Sequence, residues 1–184
     1  MERLPTRLPG LVLLAPAVHG DARGFFMETY RADAWAAEGV PTEFVQDNHS
    51  RSRRGTLRGL HFQTHPGQGK LVRVARGRVF DVVVDLRRGS STFGEWEGVV
   101  LDDANGAMLW IPVGFGHGFL VLSEVADFVY KCTNYYDPAT EAGIRFDDPE
   151  VGIEWPTSVE LLYSQRDAEA PLLSEVADSL PFEM

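Results

Sequence analysis

The sequence predicts an all-β fold, a sandwich or barrel with few helices. Short apolar or alternating runs recur at roughly ten-residue spacing and are bounded by glycine, proline, asparagine and aspartate. The chain has 184 residues, of which 44% are hydrophobic and 24% charged, which is sufficient for one sizeable core and argues against disorder. No repeat or proline- and serine-rich linker divides it. We therefore expect residues 1–184 to form a single domain.

Ten segments are predicted as strands, because each combines β-branched or aromatic residues with turn-forming residues at its ends. They are Leu11–Leu14, Phe25–Tyr30, Phe44–His49, Leu57–Phe62, Leu71–Ala75, Val79–Leu86, Trp96–Leu101, Ala107–Ile111, Gly118–Val121 and Phe128–Thr133. The dipeptide Asn105-Gly106 lies between two of them and predicts a type I′ hairpin. The segment Val79–Asp85 reads as a mostly buried strand that carries two aspartates.

Helices are expected to be few and short. One is predicted at Ala32–Glu38, since Gly39 can cap its end and Pro41 prevents its continuation. Residues 164–184 are expected to form a turn and one weak helix that pack over the barrel.

Charge and cysteine content exclude several functional classes. The formal net charge is −10, from 17 Lys and Arg against 27 Asp and Glu, which argues against nucleic-acid binding. The apolar stretch Leu11–Val18 is too short to span a bilayer, and no basic segment with a cleavage site precedes it. The single cysteine, Cys132, rules out an internal disulfide and a four-cysteine zinc site. We therefore expect a cytoplasmic protein without membrane or nucleic-acid partners.

The first polar stretch runs from Gln46 to Ser50 and continues from Gly55 to Gln63. Strict strand alternation would place Arg58 and His61 on opposite faces, so both can point inward only if the segment carries a bulge. A lone histidine is more often structural than catalytic, and on this segment alone both interpretations stay open.

The second stretch, Pro112–Phe119, has a Pro-x-Gly-x-x-His spacing that resembles the second metal motif of cupin barrels. In the corresponding first motif, Gln63 and His65 occupy the histidine positions and Lys70 occupies the glutamate position. An ammonium group has no lone pair for a metal and repels a divalent cation. The pattern therefore predicts a cupin barrel that has lost its metal.

The third stretch is Phe128–Tyr136. Tyr130 can be a core aromatic whose hydroxyl group is hydrogen-bonded. Beside a histidine and a lysine in one cavity it could instead donate a proton, because a tyrosine hydroxyl stays protonated at neutral pH.

Taken together, the ordered motifs closely resemble the dTDP-4-dehydrorhamnose 3,5-epimerase family, metal-free cupin-fold enzymes of dTDP-L-rhamnose synthesis. The likeness runs from about Leu11 to Phe182, nearly the whole chain. It rests on the segments 21–28, 46–52, 55–63, 68–72, 80–87, 111–119, 130–133, 147–149, 153–156 and 164–167. The resemblance implies a cupin-type jelly roll.

The resemblance also implies a role for each matching residue. His61 is similar to the general base, Asp167 to the carboxylate that orients it, Tyr130 to the general acid and Lys70 to the lysine near the C4 oxygen. Tyr136 matches the aromatic residue that stacks on thymine. The other substrate-contacting positions are Arg23, Glu28, Gln46, Asp47, Asn48, Arg58, His117, Glu141 and Arg166. Arg166 stands where many members have lysine.

The family reaction implied by this resemblance is epimerisation of a dTDP-4-keto-6-deoxy sugar at C3 and C5. The protons at both carbons are α to the C4 ketone, so each can be removed to give an enolate and returned from the opposite face. The ketone accepts the electrons, so neither a metal nor an organic cofactor is expected. The family also implies a homodimer with an exchanged N-terminal strand, in which Arg23 and Glu28 serve the neighbouring subunit's site.

Three other functions stay open at this point. A monoepimerase acting at C3 or C5 alone would use the same base and acid. A metal-dependent cupin oxygenase would need His61, His65 and His117 to converge on a metal, against which Lys70 argues. A non-catalytic nucleotide-sugar binding module would bind the substrate without turnover.

Overall fold

Two antiparallel sheets form the framework of the computed structural model, which describes residues 1–156 and 160–184. The six-stranded sheet contains, in spatial order, β1 (Glu2–Leu4), β2 (Val12–Ala15), β10 (Met108–Ile111), β7 (Lys70–Arg76), β12 (Val125–Cys132) and β5 (Gln46–Arg53). The five-stranded sheet contains β13 (Glu141–Gly143), β6 (Leu57–Gln63), β11 (Phe115–Val121), β8 (Arg78–Asp85) and β9 (Trp96–Asp102). A separate hairpin pairs β3 (Val18–Asp21) with β4 (Gly24–Met27).

The main core lies between the inner faces of the two sheets. Val72 and Phe128 of the six-stranded sheet pack there with Val79, Val83 and Phe119 of the five-stranded sheet. Successive side chains of a strand point to opposite faces, so each sheet contributes alternate residues to this core. The result is a jelly-roll β-sandwich, and the predicted all-β, cupin-type fold is confirmed.

Both sheets are also covered on part of their outer faces. On the five-stranded sheet, Leu173 and Phe182 pack against Leu60, Phe62 and residues of β8. On the six-stranded sheet, α1 (Ala32–Ala37) buries Trp35 completely. The apolar residues of β8 therefore face cores on both sides, which accounts for their nearly continuous run in the sequence.

The segment after Ser164 contains more helix than the sequence predicted. Instead of one weak helix it forms α2 (Gln165–Ala168), α3 (Leu173–Val176) and a 3₁₀ turn at Ala177–Ser179. The helix predicted at residues 32–38 is present and ends one residue earlier, at Ala37. None of the helices in the described part of the chain is long and apolar enough to cross a membrane.

The expected hairpin at Asn105-Gly106 is wrong. The strand before it, β9, belongs to the five-stranded sheet, and the strand after it, β10, belongs to the six-stranded sheet. The local turn does form, since Gly106 has a φ of 59° and the Asn105 Oδ1 accepts a hydrogen bond from the Ala107 N–H. An Asn-Gly pair specifies a turn, whereas the sheet that each flanking strand joins is decided by long-range packing.

Strand boundaries also differ from those predicted. The strand predicted at 44–49 lies at Gln46–Arg53, that at 118–121 begins at Phe115, and that at 25–30 ends at Met27. The short strands β1, β3 and β13 were not predicted. They have three or four residues each and carry too little alternation to be recognised.

A bulge in β6 brings two functional positions onto one face. His61 lies opposite His117 and Arg58 lies opposite Phe119, so β6 uses one more residue than β11 between the two pairs. The strands approach closely here, because a Cβ atom at Gly118 would lie 2.6 Å from the Arg58 carbonyl oxygen. The bulge that a shared face requires is therefore present, and Arg58 and His61 line a common depression.

Candidate active site

The first element of the site is a hydrogen bond between His61 and Asp167. His61 Nε2 lies 2.6 Å from Asp167 Oδ1. Asp167 belongs to α2, whose N-terminus is capped by Ser164, with the Asp167 N–H donating to its Oγ at 3.1 Å. Burial raises the pKa of Asp167, but the hydrogen bonds from His61 and Ser164 outweigh it and the pKa is lowered. The charged carboxylate thus fixes the imidazole and leaves Nδ1 as the ring nitrogen able to take a proton.

A cavity of about 200 Å³ lies against this imidazole. Most of the side chains that line it are polar, although the cavity lies between the two sheets of a β-sandwich, where apolar side chains are expected. The lining residues are Gln46, Asn48, His61, Phe62, Gln63, Gln68, Lys70, Tyr130, Tyr136 and Glu141. They come from both sheets, from the loop before β7 and from the loop after β12, so this end of the sandwich is built as a binding site rather than as core.

Tyr130 lines the cavity from β12, on the six-stranded sheet, whereas His61 lies on the five-stranded sheet. Burial raises the pKa of Tyr130, so its hydroxyl group stays protonated at neutral pH. Asn48 and Gln46 lie beside it, and the Gln46 side-chain amide donates to the Asn48 Oδ1 at 3.0 Å. A proton acceptor and a proton donor are therefore held on opposite walls of one cavity.

Lys70 supplies the positive charge of this cavity. Burial lowers the pKa of Lys70, and the nearby Cys132, Glu141 and Asp81 act in the opposite direction. A lysine with little access to water is suited to binding an oxygen that becomes negative during a reaction.

A second histidine–aspartate pair lies deeper. His117 Nε2 is 2.9 Å from Asp81 Oδ2, and Asp81 is fully buried. Burial raises the pKa of Asp81, while His117 and Lys70 act to lower it. Asp81 Oδ1 has no hydrogen-bond partner among the residues that the structure describes. Burying a carboxylate with one unpartnered oxygen is unfavourable for folding, so the presence of Asp81 at this place points to a function.

Sequence reasoning did not select Asp81 as a site residue. The available signal was its position, because an aspartate on the inward side of an otherwise apolar strand must face the core or a site. The other aspartate of that strand, Asp85, is structural. It accepts hydrogen bonds from Arg87, Ser90 and Thr92.

Glu141 lies at the mouth of the cavity and binds two other side chains there. Its Oε2 accepts a hydrogen bond from the Tyr136 hydroxyl group at 2.8 Å and another from Arg166 Nη1 at 2.7 Å. Arg58 lies nearby in the depression that contains His61, with its Nε donating to Ser52 Oγ at 3.1 Å. Two arginines and an exposed aromatic ring thus border the entrance.

Three residues predicted to contact substrate lie elsewhere in this chain. Asp47 occupies the outer face of β5, opposite to Gln46 and Asn48, and its carboxylate pairs with Lys131 at 2.9 Å. Strand alternation explains this, so a contact from the Asp47 side chain is not supported. Arg23 lies at the exposed tip of the β3–β4 hairpin, paired with Asp21. Glu28 follows that hairpin and lies next to Arg31.

The histidines that a metal site would require do not assemble into one. His65 is exposed in the loop after β6, while His61 and His117 are each paired with an aspartate. No three His, Cys, Asp or Glu side chains within residues 1–156 and 160–184 are grouped so that they could hold a metal ion.

Comparisons with known proteins agree with this geometry. A family model described as dTDP-4-dehydrorhamnose 3,5-epimerase matches residues 5–175. A Pseudomonas aeruginosa protein of that name is 51% identical over 182 residues, covering 98% of this chain and 100% of the relative. A Neisseria gonorrhoeae protein of the same name is 54% identical over 168 residues, 91% of this chain, and the chain spans 51% of its length.

Solved structures and a differently named relative extend the comparison. A Legionella pneumophila epimerase crystallised with dTDP-4-keto-L-rhamnose superposes with a TM-score of 0.95 at 48% identity, covering 100% of this chain and 98% of the other. A Streptomyces niveus protein named dTDP-4-dehydrorhamnose 3-epimerase is 45% identical over 181 residues, covering 97% of this chain and 87% of the relative.

Proposed function

Since this chain belongs to the dTDP-4-dehydrorhamnose 3,5-epimerase family, we propose that it epimerises dTDP-4-dehydro-6-deoxy-D-glucose at C3 and C5 to dTDP-4-dehydro-L-rhamnose. The observation that carries the proposal is the cavity in which the His61–Asp167 pair faces Tyr130, with Lys70 in the same cavity. The reaction belongs to dTDP-L-rhamnose biosynthesis.

Inversion of a carbon next to a ketone needs a base on one face of the sugar ring and an acid on the other. His61 removes the proton through Nδ1, since Nε2 is bound to Asp167. Tyr130 returns a proton from the opposite wall. Support comes from the placement of the two residues on opposite sheets and from the protonated state that burial favours for Tyr130.

The enolate that forms carries its charge mainly on the C4 oxygen, and Lys70 binds that oxygen. A donor of this kind stabilises the transition state by roughly 3–4 kcal/mol. The His117–Asp81 pair lies behind it, and its carboxylate offsets the cost of burying the ammonium group. The ketone itself accepts the electrons, so no metal or organic cofactor is required.

The nucleotide part of the substrate occupies the mouth. Tyr136 stacks on thymine, and Arg58 and Arg166 bind the diphosphate through their planar guanidinium groups. Gln46, Asn48, Glu141 and His117 complete the contacts within the chain. Asp47 is left out of this set, because its carboxylate lies on the other face of β5 and pairs with Lys131. The C-terminal segment, residues 164–184, contributes Arg166 and Asp167 to the site of a single domain.

The working form is a cytoplasmic homodimer in which the N-terminal strand of one subunit crosses to the other. The β3–β4 hairpin pairs with neither main sheet and exposes Phe25 by 62% and Phe26 by 72%. Large exposed aromatic side chains favour burial against a partner. Arg23 and Glu28 lie on or next to this hairpin and do not line the cavity of their own chain, so they would reach the partner's cavity.

The test is incubation with dTDP-4-keto-6-deoxyglucose in deuterated water, without added metal, while NMR follows deuterium at C3 and C5. We expect exchange at both carbons, with inverted product. Exchange at neither carbon would overturn the proposal and return the chain to the binding-module interpretation. If the protein that shows no exchange instead held stoichiometric iron or zinc, the oxygenase alternative would replace the proposal.

A monoepimerase acting at C3 is the second candidate, because the Streptomyces niveus relative named for a single epimerisation is 45% identical to this chain. The same base and acid serve both reactions. Deuterium at one carbon only would select the monoepimerase and leave the assignment of base and acid unchanged.

A further inference from the structure

One oxygen atom at the cavity mouth joins three separate elements of the chain. Glu141 Oε2, on β13, accepts hydrogen bonds from the Tyr136 hydroxyl group at 2.8 Å and from Arg166 Nη1 at 2.7 Å. Tyr136 belongs to the loop after β12, and Arg166 belongs to α2. The Glu141 side chain is only 16% exposed, whereas that of Arg166 is 57% exposed, so the junction lies at the surface with its carboxylate largely covered.

The helix joined to Glu141 also carries the carboxylate that orients the base. Arg166 and Asp167 are consecutive in α2, a helix of four residues. Arg166 is bound to Glu141, and Asp167 is bound to His61 at 2.6 Å. A helix this short has little stability of its own, so its orientation depends on such contacts.

The two ends of this arrangement share one rigid frame. Strand β13 pairs with β6 so that Glu141 lies opposite Gln63 and Gly143 lies opposite His61. The contacts therefore close a ring from His61 through Asp167, Arg166 and Glu141 back to the strand that carries His61.

We propose that Glu141 is a positioning residue for the base, acting through Arg166 to hold α2 and so to set the geometry of the Asp167–His61 hydrogen bond. This role rests on the proposed function and goes beyond contact with substrate. It couples the nucleotide-binding mouth of the cavity to the group that removes the proton.

Arginine at position 166 suits this coupling better than lysine. With Nη1 bound to Glu141, the Nε and Nη2 groups of the guanidinium stay available for a diphosphate oxygen. Binding of the diphosphate would then fix the same turn that carries Asp167. Binding energy from a remote part of the substrate would thereby act on kcat rather than on KM.

The ionisation of the junction agrees with this role. Burial raises the pKa of Glu141, but the hydrogen bonds from Arg166 and Tyr136 outweigh it, so the pKa is lowered. The carboxylate is therefore charged at neutral pH, where it binds the guanidinium most strongly.

The decisive variant is Glu141→Gln, assayed by deuterium exchange at saturating substrate. Displacement of a catalytic group by a fraction of an ångström to one ångström lowers rates by up to about 100-fold, so we expect kcat to fall by about 10- to 100-fold and KM to change much less. Glu169→Gln is the matched control, because it removes a carboxylate at the end of the same helix, and among the described residues this carboxylate accepts a hydrogen bond only from Gln165. A raised KM with unchanged kcat would reduce Glu141 to a substrate contact and overturn the inference.

A second measurement separates this inference from the proposed function. The ¹⁵N NMR shifts of the His61 ring in the substrate-free protein report its hydrogen bond to Asp167 and need no turnover. We expect them to change in Glu141→Gln and to stay unchanged in Glu169→Gln. Unchanged shifts in Glu141→Gln would overturn the inference, whether or not the wild-type protein exchanges deuterium.

Arg166→Lys tests the same link if Glu141→Gln folds poorly. The lysine keeps the charge, but its three N–H donors lie on one nitrogen and rotate, so they do not hold Glu141 and the diphosphate on two sides of a rigid plane as a guanidinium does. We expect kcat to fall, and the double variant Glu141→Gln/Arg166→Lys to be no slower than the slower single variant, because both changes break one link. Additive losses in the double variant would contradict the link.

Discussion

The molecule contains two histidine–aspartate pairs that differ in where they lie. In the His61–Asp167 pair the imidazole is 30% exposed and the carboxylate comes from a four-residue helix. In the His117–Asp81 pair both groups lie on sheet strands, and they are 8% and 0% exposed. The exposed imidazole is therefore placed to take a proton from a substrate, whereas the buried imidazole is held in a fixed position by its aspartate. The same two side chains acquire different roles from burial and from the element that carries them.

The largest expected effect comes from removing the exposed pair's imidazole. Since general base catalysis contributes about 10²- to 10⁴-fold, His61→Ala should slow deuterium exchange at both carbons by about 1,000-fold or more. The matched control is His65→Ala, because His65 is exposed and outside the cavity. Near wild-type exchange in His61→Ala would show that the exposed pair does not supply the base, which is the role that distinguishes it from the buried pair.

The next effect concerns the charge that the buried pair supports. Lys70→Met keeps the length of the side chain but loses the ammonium group, and loss of one oxyanion donor typically lowers kcat by about 10²- to 10³-fold. The chain offers one further lysine as a control, since Lys131 is paired with Asp47 on the outer face. Lys131→Met should leave kcat unchanged. Equal losses in the two variants would mean that the cavity lysine has no special role.

Asp81→Asn should separate function from stability. The substitution removes the negative charge that favours the ammonium form of Lys70, so kcat should fall by about 10- to 100-fold. The melting temperature should be unchanged or higher, because a buried carboxylate with one unpartnered oxygen is costly to the fold. A lower melting temperature with unchanged kcat would make Asp81 a structural residue instead.

The smallest effect is in the pH dependence of stability. The pKa of Asp167 is lowered in the folded state, so its contribution is present above the unfolded pKa and is lost as the pH falls through the folded value. The pKa of Asp81 is raised, so its charged form destabilises the fold and that penalty is relieved as the pH falls. The two aspartates therefore act with opposite signs.

Melting temperatures measured from about pH 7 to about pH 3 test these signs. Asp167→Asn should reduce the acid-induced fall in melting temperature, and Asp81→Asn should make it steeper, each by a few degrees. Parallel curves for the two variants would show that the carboxylates do not differ in this way.

The exposed pair was easier to predict from the sequence than the buried one. His61, Lys70 and Tyr130 stand in polar stretches with specific spacing, and the structure brings them into one cavity. Asp81 was overlooked because a single residue in an apolar strand has no motif, and its partner is 36 positions away. Strand alternation alone predicts that Asp47 lies on the face opposite to Gln46 and Asn48. The family resemblance instead placed all three residues among the substrate contacts.

The fold was predictable to a similar extent. Alternating segments indicated most strands of the two main sheets, because burial imposes a period of two on each strand. Sheet membership was less accessible: Asn105-Gly106 specified the turn but not the two sheets that its flanking strands join. Glu141 lies on a three-residue strand without a recognisable pattern, and its contacts with Arg166 and Tyr136 depend on the folded arrangement.

The single extra residue in β6 has a consequence for how this site can change over time. Substitutions alter the chemistry of the cavity one group at a time, but an inserted or deleted residue between Arg58 and His61 would reverse the direction of every side chain on one side of it. Deleting Gly59 would turn either the imidazole or the guanidinium toward the wrong layer of the sandwich. This stretch can therefore accept substitutions but not insertions or deletions, unlike the loops around it.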